Sequence, residues 1–269
     1  EKMKKFLFVF LISCFSLTIS TCSVNWGSNK DDTTSGLFVS VGNSGTIIIS
    51  SDGITWIFST SGTSSNLWGI NYGNSTFVTV GDSGTILTSS DGTSWDNRTS
   101  DVSSTLYGVT YGNSTFVTIG DNGTILTSSD GTSWDNRTSD VSSTLYGVTY
   151  GNSTFVTVGD NGTILTSSDG TTWTSRTSNT SKNLYGVIYG NSTFVTMGGS
   201  GTILTSSDGT SWTSRTSGAS DTLWGVIYGK SAYVVVGTLG TVLTSSDLTT
   251  WTSRTSNTSN NLLEVTYKE

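Results

Sequence analysis

The sequence predicts an all-β fold, a six-bladed β-propeller built from four-stranded antiparallel blades. Three observations predict it: a 39-residue repeat, four short apolar segments per repeat separated by tight-turn residues, and partial units at the two ends that add up to one blade. The chain has 269 residues, of which 33% are hydrophobic, so it can bury a core. Its 32 glycines and its lack of proline suit many short strands joined by tight turns.

Leucine and tryptophan mark the repeat most clearly. A leucine opens each unit and recurs every 39 residues, at Leu67, Leu106, Leu145, Leu184, Leu223 and Leu262. A tryptophan recurs with the same period, at Trp56, Trp95, Trp134, Trp173, Trp212 and Trp251. Five complete units therefore begin at residues 67, 106, 145, 184 and 223.

Each unit contains four predicted strands, which in the second unit are residues 106–111, 115–119, 124–127 and 133–137. The breaks between them contain Gly, Asn and Asp, residues that tolerate positive φ or bond their own backbone in turns. The near-continuous apolar character of the strands indicates burial on both faces, as in stacked blades. A β-solenoid is the alternative, but tight hairpin signals in every unit favour the propeller.

The two ends of the repeat region are complementary. Residues 37–66 supply three strands and lack an innermost one, whereas residues 262–267 form an innermost strand with no strands after it. Sharing one blade between both ends closes the ring and leaves no long exposed edge. The predicted propeller therefore spans residues 37–267.

Residues 1–22 are predicted to be a secretory signal, followed by a linker at residues 23–36. Lys4 and Lys5 precede an apolar run that is too short and interrupted for a typical membrane-spanning helix. Cys22 is the favoured site of a bacterial lipid anchor, with Cys14 as the alternative and cleavage without lipid as a third interpretation. We therefore expect a protein of the bacterial cell envelope or a secreted protein.

Composition excludes several classes of function. Histidine is absent and both cysteines lie in the leader, which removes the common nucleophile pairs and most zinc sites. We expect no metal and no cofactor. The formal net charge of −7 argues against nucleic-acid binding, which needs clustered Lys and Arg. A protein or glycan partner and a monomeric state are expected instead.

The segment Ser-Ser-Asp-Gly-Thr-Ser-Trp, residues 89–95 and its equivalents, resembles the Asp box or BNR repeat of sialidases and other propellers. The wider repeat resembles the YVTN/BNR-like propellers, which include photosystem II stability/assembly factor-like proteins. The resemblance implies a structural role for the box carboxylates and for the repeated tryptophans named above. These carboxylates are Asp52, Asp91, Asp130, Asp169, Asp208 and Asp247. One residue fewer separates Asp from Trp than in the usual box, and Leu248 replaces the glycine of the last copy.

Two further rings of side chains form a possible binding face. Asp82, Asp121 and Asp160 lie in the turns between second and third strands, where Asn43, Gly199 and Thr238 continue the ring. Aromatic residues occupy the innermost strands at Trp68, Tyr107, Tyr146, Tyr185 and Trp224. Hairpin chemistry and packing between blades are the plain interpretations. The sharper ones are a cation or basic segment held by the carboxylates, and sugar or aromatic groups stacked on the rings.

A catalytic site is not expected, because a sialidase needs arginines, a Tyr-Glu pair and an acid/base Asp that each occur once. Here the arginines share one repeat position, at Arg98, Arg137, Arg176, Arg215 and Arg254. They suit an exposed or salt-bridged edge better than an anion-binding ring. The predicted function is a non-catalytic extracytoplasmic binding or assembly scaffold. A carbohydrate-recognising or sialidase-like glycoside hydrolase propeller is the alternative.

Overall fold

The computed structural model describes residues 22–23 and 36–267. It contains six sheets arranged in sequence order, antiparallel apart from one short parallel pairing, and the all-β propeller fold class is confirmed. The strands are β1 (Cys22–Ser23), β2 (Phe38–Val41), β3 (Ile47–Ser50), β4 (Ile57–Ser59), β5 (Leu67–Gly73), β6 (Thr76–Gly81), β7 (Ile86–Ser89), β8 (Asp96–Arg98), β9 (Leu106–Gly112), β10 (Thr115–Gly120), β11 (Ile125–Ser128), β12 (Asp135–Arg137), β13 (Leu145–Gly151), β14 (Thr154–Gly159), β15 (Ile164–Ser167), β16 (Thr174–Arg176), β17 (Leu184–Gly190), β18 (Thr193–Gly198), β19 (Ile203–Ser206), β20 (Thr213–Arg215), β21 (Leu223–Gly229), β22 (Ala232–Gly237), β23 (Val242–Ser245) and β24 (Thr252–Ser253).

We call the sheet β2–β4 the terminal blade and the sheets that begin at β5, β9, β13, β17 and β21 blades 1 to 5. In blades 1 to 5 consecutive strands pair in order, from an inner strand that opens the repeat to an outer strand that ends it. In blade 2, for example, Phe116 pairs with Tyr111 on the inner side and with Ser128 on the outer side. The four strands predicted for each unit are therefore present.

The turn between the second and third strands is a single 3-10 turn in every blade. These turns are Asn43–Gly45, Asp82–Gly84, Asp121–Gly123, Asp160–Gly162, Gly199–Gly201 and Thr238–Gly240. Their last two residues have positive φ, as at Asn122 (55°) and Gly123 (69°). Glycine adopts this conformation freely and Asn tolerates it better than most residues, which accounts for the glycine that ends every turn and for the Asn-Gly pairs of blades 2 and 3.

Five buried apolar clusters fill the five interfaces between consecutive blades. The cluster between blades 2 and 3, for example, joins Val117 and Ile119 of blade 2 to Leu145 and Phe155 of blade 3. Both sheet faces are thus covered, which accounts for the continuous apolar runs in the sequence. No such cluster joins blade 5 to the terminal blade within residues 36–267.

Inner strands of neighbouring blades approach closely because glycines face them. A Cβ added to Gly112 would lie 2.1 Å from Cγ of Tyr150, and the same arrangement joins Gly73 to Tyr111 and Gly151 to Tyr189. A second glycine of the inner strand, such as Gly69, would place a Cβ 2.9 Å from the carbonyl oxygen of Tyr107. Glycine therefore permits backbone-to-ring contact between blades.

The C-terminal segment lies where the closing strand is expected to begin. The amide of Leu262 donates to the carbonyl of Gly237 at 2.9 Å, just as Leu67 bonds Gly42 at 3.0 Å. Tyr267 packs on Gly229 as Tyr111 packs on Gly73. The segment differs from the prediction in one respect, which is that it does not pair with β2. Among the described residues, the terminal blade consists of the three paired strands β2, β3 and β4.

Glu264 departs from the repeat in this segment. It occupies the repeat position held by Gly69, Gly108, Gly147, Gly186 and Gly225, where the absence of a side chain lets the inner strand of the following blade approach. Leu262 is half-buried, whereas Leu67 and its other equivalents are fully buried. We call the gap between this C-terminal segment and β2 the seam.

The predicted signal and linker lie outside the described residues, apart from Cys22–Ser23. This pair forms a short parallel ladder with Ile70 and Asn71 of the inner strand of blade 1. Within the described part of the chain, no helix has the length and apolar character needed to cross a membrane.

Candidate functional site

Five aromatic rings form a continuous arc at one mouth of the propeller. They are the predicted residues, which stand second in the inner strands of blades 1 to 5: Trp68, Tyr107, Tyr146, Tyr185 and Trp224. Successive ring centroids are 6.0, 5.5, 5.3 and 4.3 Å apart, and each ring is half-buried. Each ring therefore packs on its neighbours and keeps part of its surface accessible. We call this set the aromatic arc.

The carboxylates of the neighbouring turns lie directly beside the arc. Nε1 of Trp68 donates to Oδ1 of Asp82 at 2.6 Å, and the hydroxyl of Tyr146 donates to Oδ1 of Asp160 at 3.0 Å. Both predicted rings of side chains therefore meet at one mouth. The result is a surface of apolar ring faces backed by negative charge, an arrangement that suits cations and amphipathic side chains.

Burial and these carboxylates change the acidity of the tyrosines. Desolvation, followed by the charge of Asp121, raises the pKa of Tyr107 to about 12. Burial and the hydrogen bond to Asp160 raise the pKa of Tyr146 above its ordinary value. Both phenols are therefore neutral at physiological pH and act as hydrogen-bond donors.

The negative charge covers only part of the mouth. Carboxylates stand in the turns of blades 1 to 3, whereas the other blades have Asn43, Gly199 and Thr238 there. Nε1 of Trp224 is buried and has no hydrogen-bond partner among the described residues. Trp224 belongs to blade 5, where the turn has Thr238 in place of a carboxylate. The mouth is thus aromatic in blades 1 to 5, and its turn carboxylates lie in blades 1 to 3.

Asn66 and Thr144 also belong to this site, although the sequence-based prediction missed them. Nδ2 of Asn66 donates to Oδ2 of Asp82 at 2.9 Å, and the hydroxyl of Thr144 donates to Oδ1 of Asp121 at 3.2 Å. The residue before each repeat leucine is always Asn or Thr. This regularity was the available signal for a polar partner of the turn.

The Asp-box carboxylates lie in the turns between third and fourth strands and hold those turns together. In blade 2, Oδ1 of Asp130 accepts the amides of Thr132 at 2.7 Å and Ser133 at 3.1 Å and the hydroxyl of Ser128 at 3.0 Å. Nε1 of Trp134 donates to the carbonyl of Gly131 at 2.9 Å. The same carboxylate bonds recur at the other five box aspartates.

Leu248, which replaces the box glycine in the last copy, keeps the turn at a backbone cost. Its φ is 63°, a conformation that glycine adopts freely and leucine does not. Its amide still donates to the hydroxyl of Ser245 at 2.8 Å, and its side chain is buried. The turn geometry is therefore preserved in that blade.

Replacing Asp130 with alanine is expected to lower the free energy of unfolding by roughly 1 kcal/mol at pH 7, because two backbone amides lose their acceptor at an exposed turn. The amides of Thr132 and Ser133 hold the pKa of Asp130 below its ordinary value. Its contribution is therefore present above about pH 4 and is lost as the pH falls further. Denaturant unfolding at pH 7 and at about pH 2 measures this difference.

Asp135→Ala is the matched control, since it removes only an exposed ion pair with Arg137 and should change stability by less than about 0.5 kcal/mol. An Asp130→Ala protein with unchanged stability at pH 7 would contradict the structural role of the box. Loss of partner binding in that stable protein would assign the box to the binding surface instead.

The five repeated arginines lie one to each of blades 1 to 5, on the outer strand or, for Arg254, directly after β24. Nε of Arg137 donates to Oγ1 of Thr127 at 2.8 Å, and the other four make the equivalent bond. Arg98 and Arg137 also form ion pairs with Asp96 and Asp135 at 2.9 and 2.8 Å. Because each occupies a separate blade edge, the arginines do not form a cluster for one carboxylate substrate.

The carboxylates of the described residues do not cluster as metal ligands do. No group of three or more His, Cys, Asp or Glu side chains stands close enough there to hold an ion. The acidic side of the mouth consists of single carboxylates, each bonded to its own blade or the next.

Comparisons with known proteins identify the fold. No family model matches the chain, and no curated protein matches it. A solved structure of YCF48 bound to D1 peptide is 18% identical, with a TM-score of 0.67, over 88% of this chain and 80% of that one. YCF48 from Cyanidioschyzon merolae is 15% identical, with a TM-score of 0.67, over 84% and 83%. The computationally designed Ika8 protein is 15% identical, with a TM-score of 0.70, over 87% and 78%.

Proposed function

We propose that this protein is a non-catalytic binding or assembly scaffold that holds a protein partner at the aromatic arc. The observation that carries the proposal is the arc itself, in which five half-buried rings stand at one mouth beside the turn carboxylates. Exposed aromatic faces with polar groups at their edges are typical anchors of protein interfaces. The arc offers several similar contacts, which together favour an extended segment.

The likeness to YCF48 supports a peptide-binding role, because one of those propellers was solved with D1 peptide bound. An assembly role like that of photosystem II assembly factor-like proteins is part of the proposal through this likeness. The site acts outside the cytoplasm in the proposal, since residues 1–22 have the pattern of a secretory signal. A lipid on Cys22 would keep the protein at the membrane of the cell envelope.

A carbohydrate-recognising or glycosidase-type propeller is the second candidate, because sugars also stack on aromatic rings. Retaining glycosidases need two carboxyl groups with different protonation states. Asp82, Asp121 and Asp160 instead share one repeat position and similar neighbours. This equivalence favours recognition over catalysis.

Partner capture from the exported fraction tests the proposal. Tyr107→Ser together with Tyr146→Ser removes two adjacent rings of the arc and should reduce the captured protein at least about fivefold, since interface aromatics typically contribute 1 kcal/mol or more each. Arg176→Ser on the outer edge of blade 3 is the control and should leave capture unchanged. Circular dichroism verifies that both variants fold.

Equal capture by the folded double variant and the unmodified chain would exclude the arc as the contact surface. Release of the captured material by free sialyl or other glycosides would favour the carbohydrate-binding alternative.

A further inference from the structure

The outer strand of the terminal blade carries an exposed apolar patch. Ile57 and Phe58 of β4 are 60% and 84% exposed, and Ile54 in the preceding turn is 83% exposed. Trp56 is 40% exposed and packs on Phe38, with ring centroids 6.4 Å apart. We call these four residues, Ile54, Trp56, Ile57 and Phe58, the apolar edge. Contiguous exposed apolar groups of this kind mark interaction sites.

The apolar edge is specific to this blade. At the positions of Ile57 and Phe58 the other blades have Asp-Asn in blades 1 and 2 and Thr-Ser in blades 3 to 5. Those polar residues are exposed in all five blades, including blades 1 to 4, which have a neighbour packed on each side. The exposure of Ile57 and Phe58 therefore follows from their place on the outer strand and does not depend on the seam.

The terminal blade is also almost uncharged. Residues 36–66 contain one charged residue, Asp52, in a chain with a formal net charge of −7. Two acidic molecules repel each other least where their facing surfaces are neutral. The outer edges of blades 1 to 5 each carry at least one charged residue, such as the ion pair of Asp96 and Arg98 in blade 1.

We propose that the apolar edge binds a second copy of this chain. No strand is paired with the outer side of β4 among the described residues, apart from the single bridge between Thr60 and Ser94 directly after it, so the outer side at Ile57 and Phe58 is open to another strand. Two copies of β4 pair antiparallel around a two-fold axis, which places the same apolar residues against each other. The other outer strands keep an arginine over this edge, and such charges oppose pairing.

A recess beside β4 gives the partner side chain a place to enter. It has a volume of about 520 Å³ and is lined by Phe58 and by residues 44–47 and 59–64. The equivalent recess of blade 4 contains Arg215 and Ser214. The terminal blade thus replaces a charged rim with an aromatic one.

The expected dimer is weak because four side chains and a three-residue strand form a small interface. Stable complexes bury about 800 Å² on each partner. We therefore expect association at tens of micromolar and, for the protein at high concentration, a dimer in place of the monomer expected from the sequence.

Light scattering after size exclusion, performed on the processed exported protein from about 5 to 200 µM, tests this proposal over the expected affinity range. The mass should rise from that of a monomer toward that of a dimer. Ile57→Asp with Phe58→Asn installs the residues of blade 1 and should keep the protein monomeric throughout. Ser59 stays unchanged because its hydroxyl donates to the carbonyl of Thr93 and accepts Nε1 of Trp95.

The reverse exchange provides the matched variant. Thr174→Ile with Ser175→Phe and Arg176→Ser places the three residues of β4 on blade 3 and should produce species larger than a dimer, since the chain then has two such edges. A constant monomer mass for the unmodified protein, or a dimer that persists in the folded Ile57→Asp, Phe58→Asn protein, would overturn the proposal. Binding of the unmodified monomer to phosphatidylcholine vesicles would assign the edge to a lipid surface instead.

Discussion

Replacing Gly112 with alanine is expected to lower the free energy of unfolding by about 3 kcal/mol or more, because overpacking an interior this tight forces the surrounding groups to move. The added Cβ would lie 2.1 Å from Cγ and 2.6 Å from Cβ of Tyr150. Tyr150 packs in turn on Phe155, with ring centroids 4.6 Å apart. Its ring cannot withdraw without loosening the cluster between blades 2 and 3. Thermal and denaturant unfolding measure the loss.

Gly199→Ala is the control, because the nearest atoms to its added Cβ lie 3.9 and 4.0 Å away. It should change stability by less than about 0.5 kcal/mol. In a Tyr150→Gly background, which removes both clashing atoms, the effect of Gly112→Ala should shrink, and a double-mutant cycle detects this as coupling. Equal effects of the glycine substitution in both backgrounds would show that the glycine and the tyrosine do not act as one contact.

Glu264→Gln is expected to stabilise the protein strongly at alkaline pH. Burial raises the pKa of Glu264 to about 8 from an ordinary value of 4.5. For a carboxyl group whose pKa is raised by folding, the stability present below pH 4.5 is progressively lost as the pH rises through 8. Glutamine cannot ionise, so at pH 9 we expect the variant to be more stable by roughly 3 to 5 kcal/mol.

Measuring the free energy of unfolding at two pH values separates the effect of charge at residue 264 from the effect of side-chain size. At pH 4 the unmodified protein and Glu264→Gln should have similar stability, since the carboxyl group is protonated in the folded state. Glu264→Gly restores the residue of the other repeats and should stabilise at both pH values if closer approach at the seam adds packing. If the stability difference between Glu264→Gln and the unmodified protein were the same at pH 4 and pH 9, ionisation of Glu264 would be excluded as the cause of that difference.

The blades were predictable from the sequence because their determinants are local. A tight turn needs particular residues at particular positions, so Asn122-Gly123 and Asp130-Gly131 indicate where the strands of blade 2 end. The period then places Tyr107 and Asp121 at one mouth, since equivalent positions in a ring lie on the same face. The partner of each ring was not predicted, because it depends on side-chain distances across a turn.

Contacts between blades were less accessible to sequence analysis. Gly112 and Tyr150 are 38 residues apart, and nothing in either strand alone shows that a glycine of one receives the ring of the next. Departures from the repeat were the better guide to the seam and to the apolar edge. Glu264 and Phe58 are the residues that break the pattern, and each changes what can approach its blade.

The fact that each blade contacts only its neighbours in the chain bears on how the gene can change. Every internal repeat presents the same two faces, so duplication or loss of one 39-residue unit would create no interface that the protein does not already have. Such an event would alter the angle that remains between the first and last blades. The seam is therefore where an unequal recombination event would be accommodated, and the residues that border it are under constraints different from those of the copies between them.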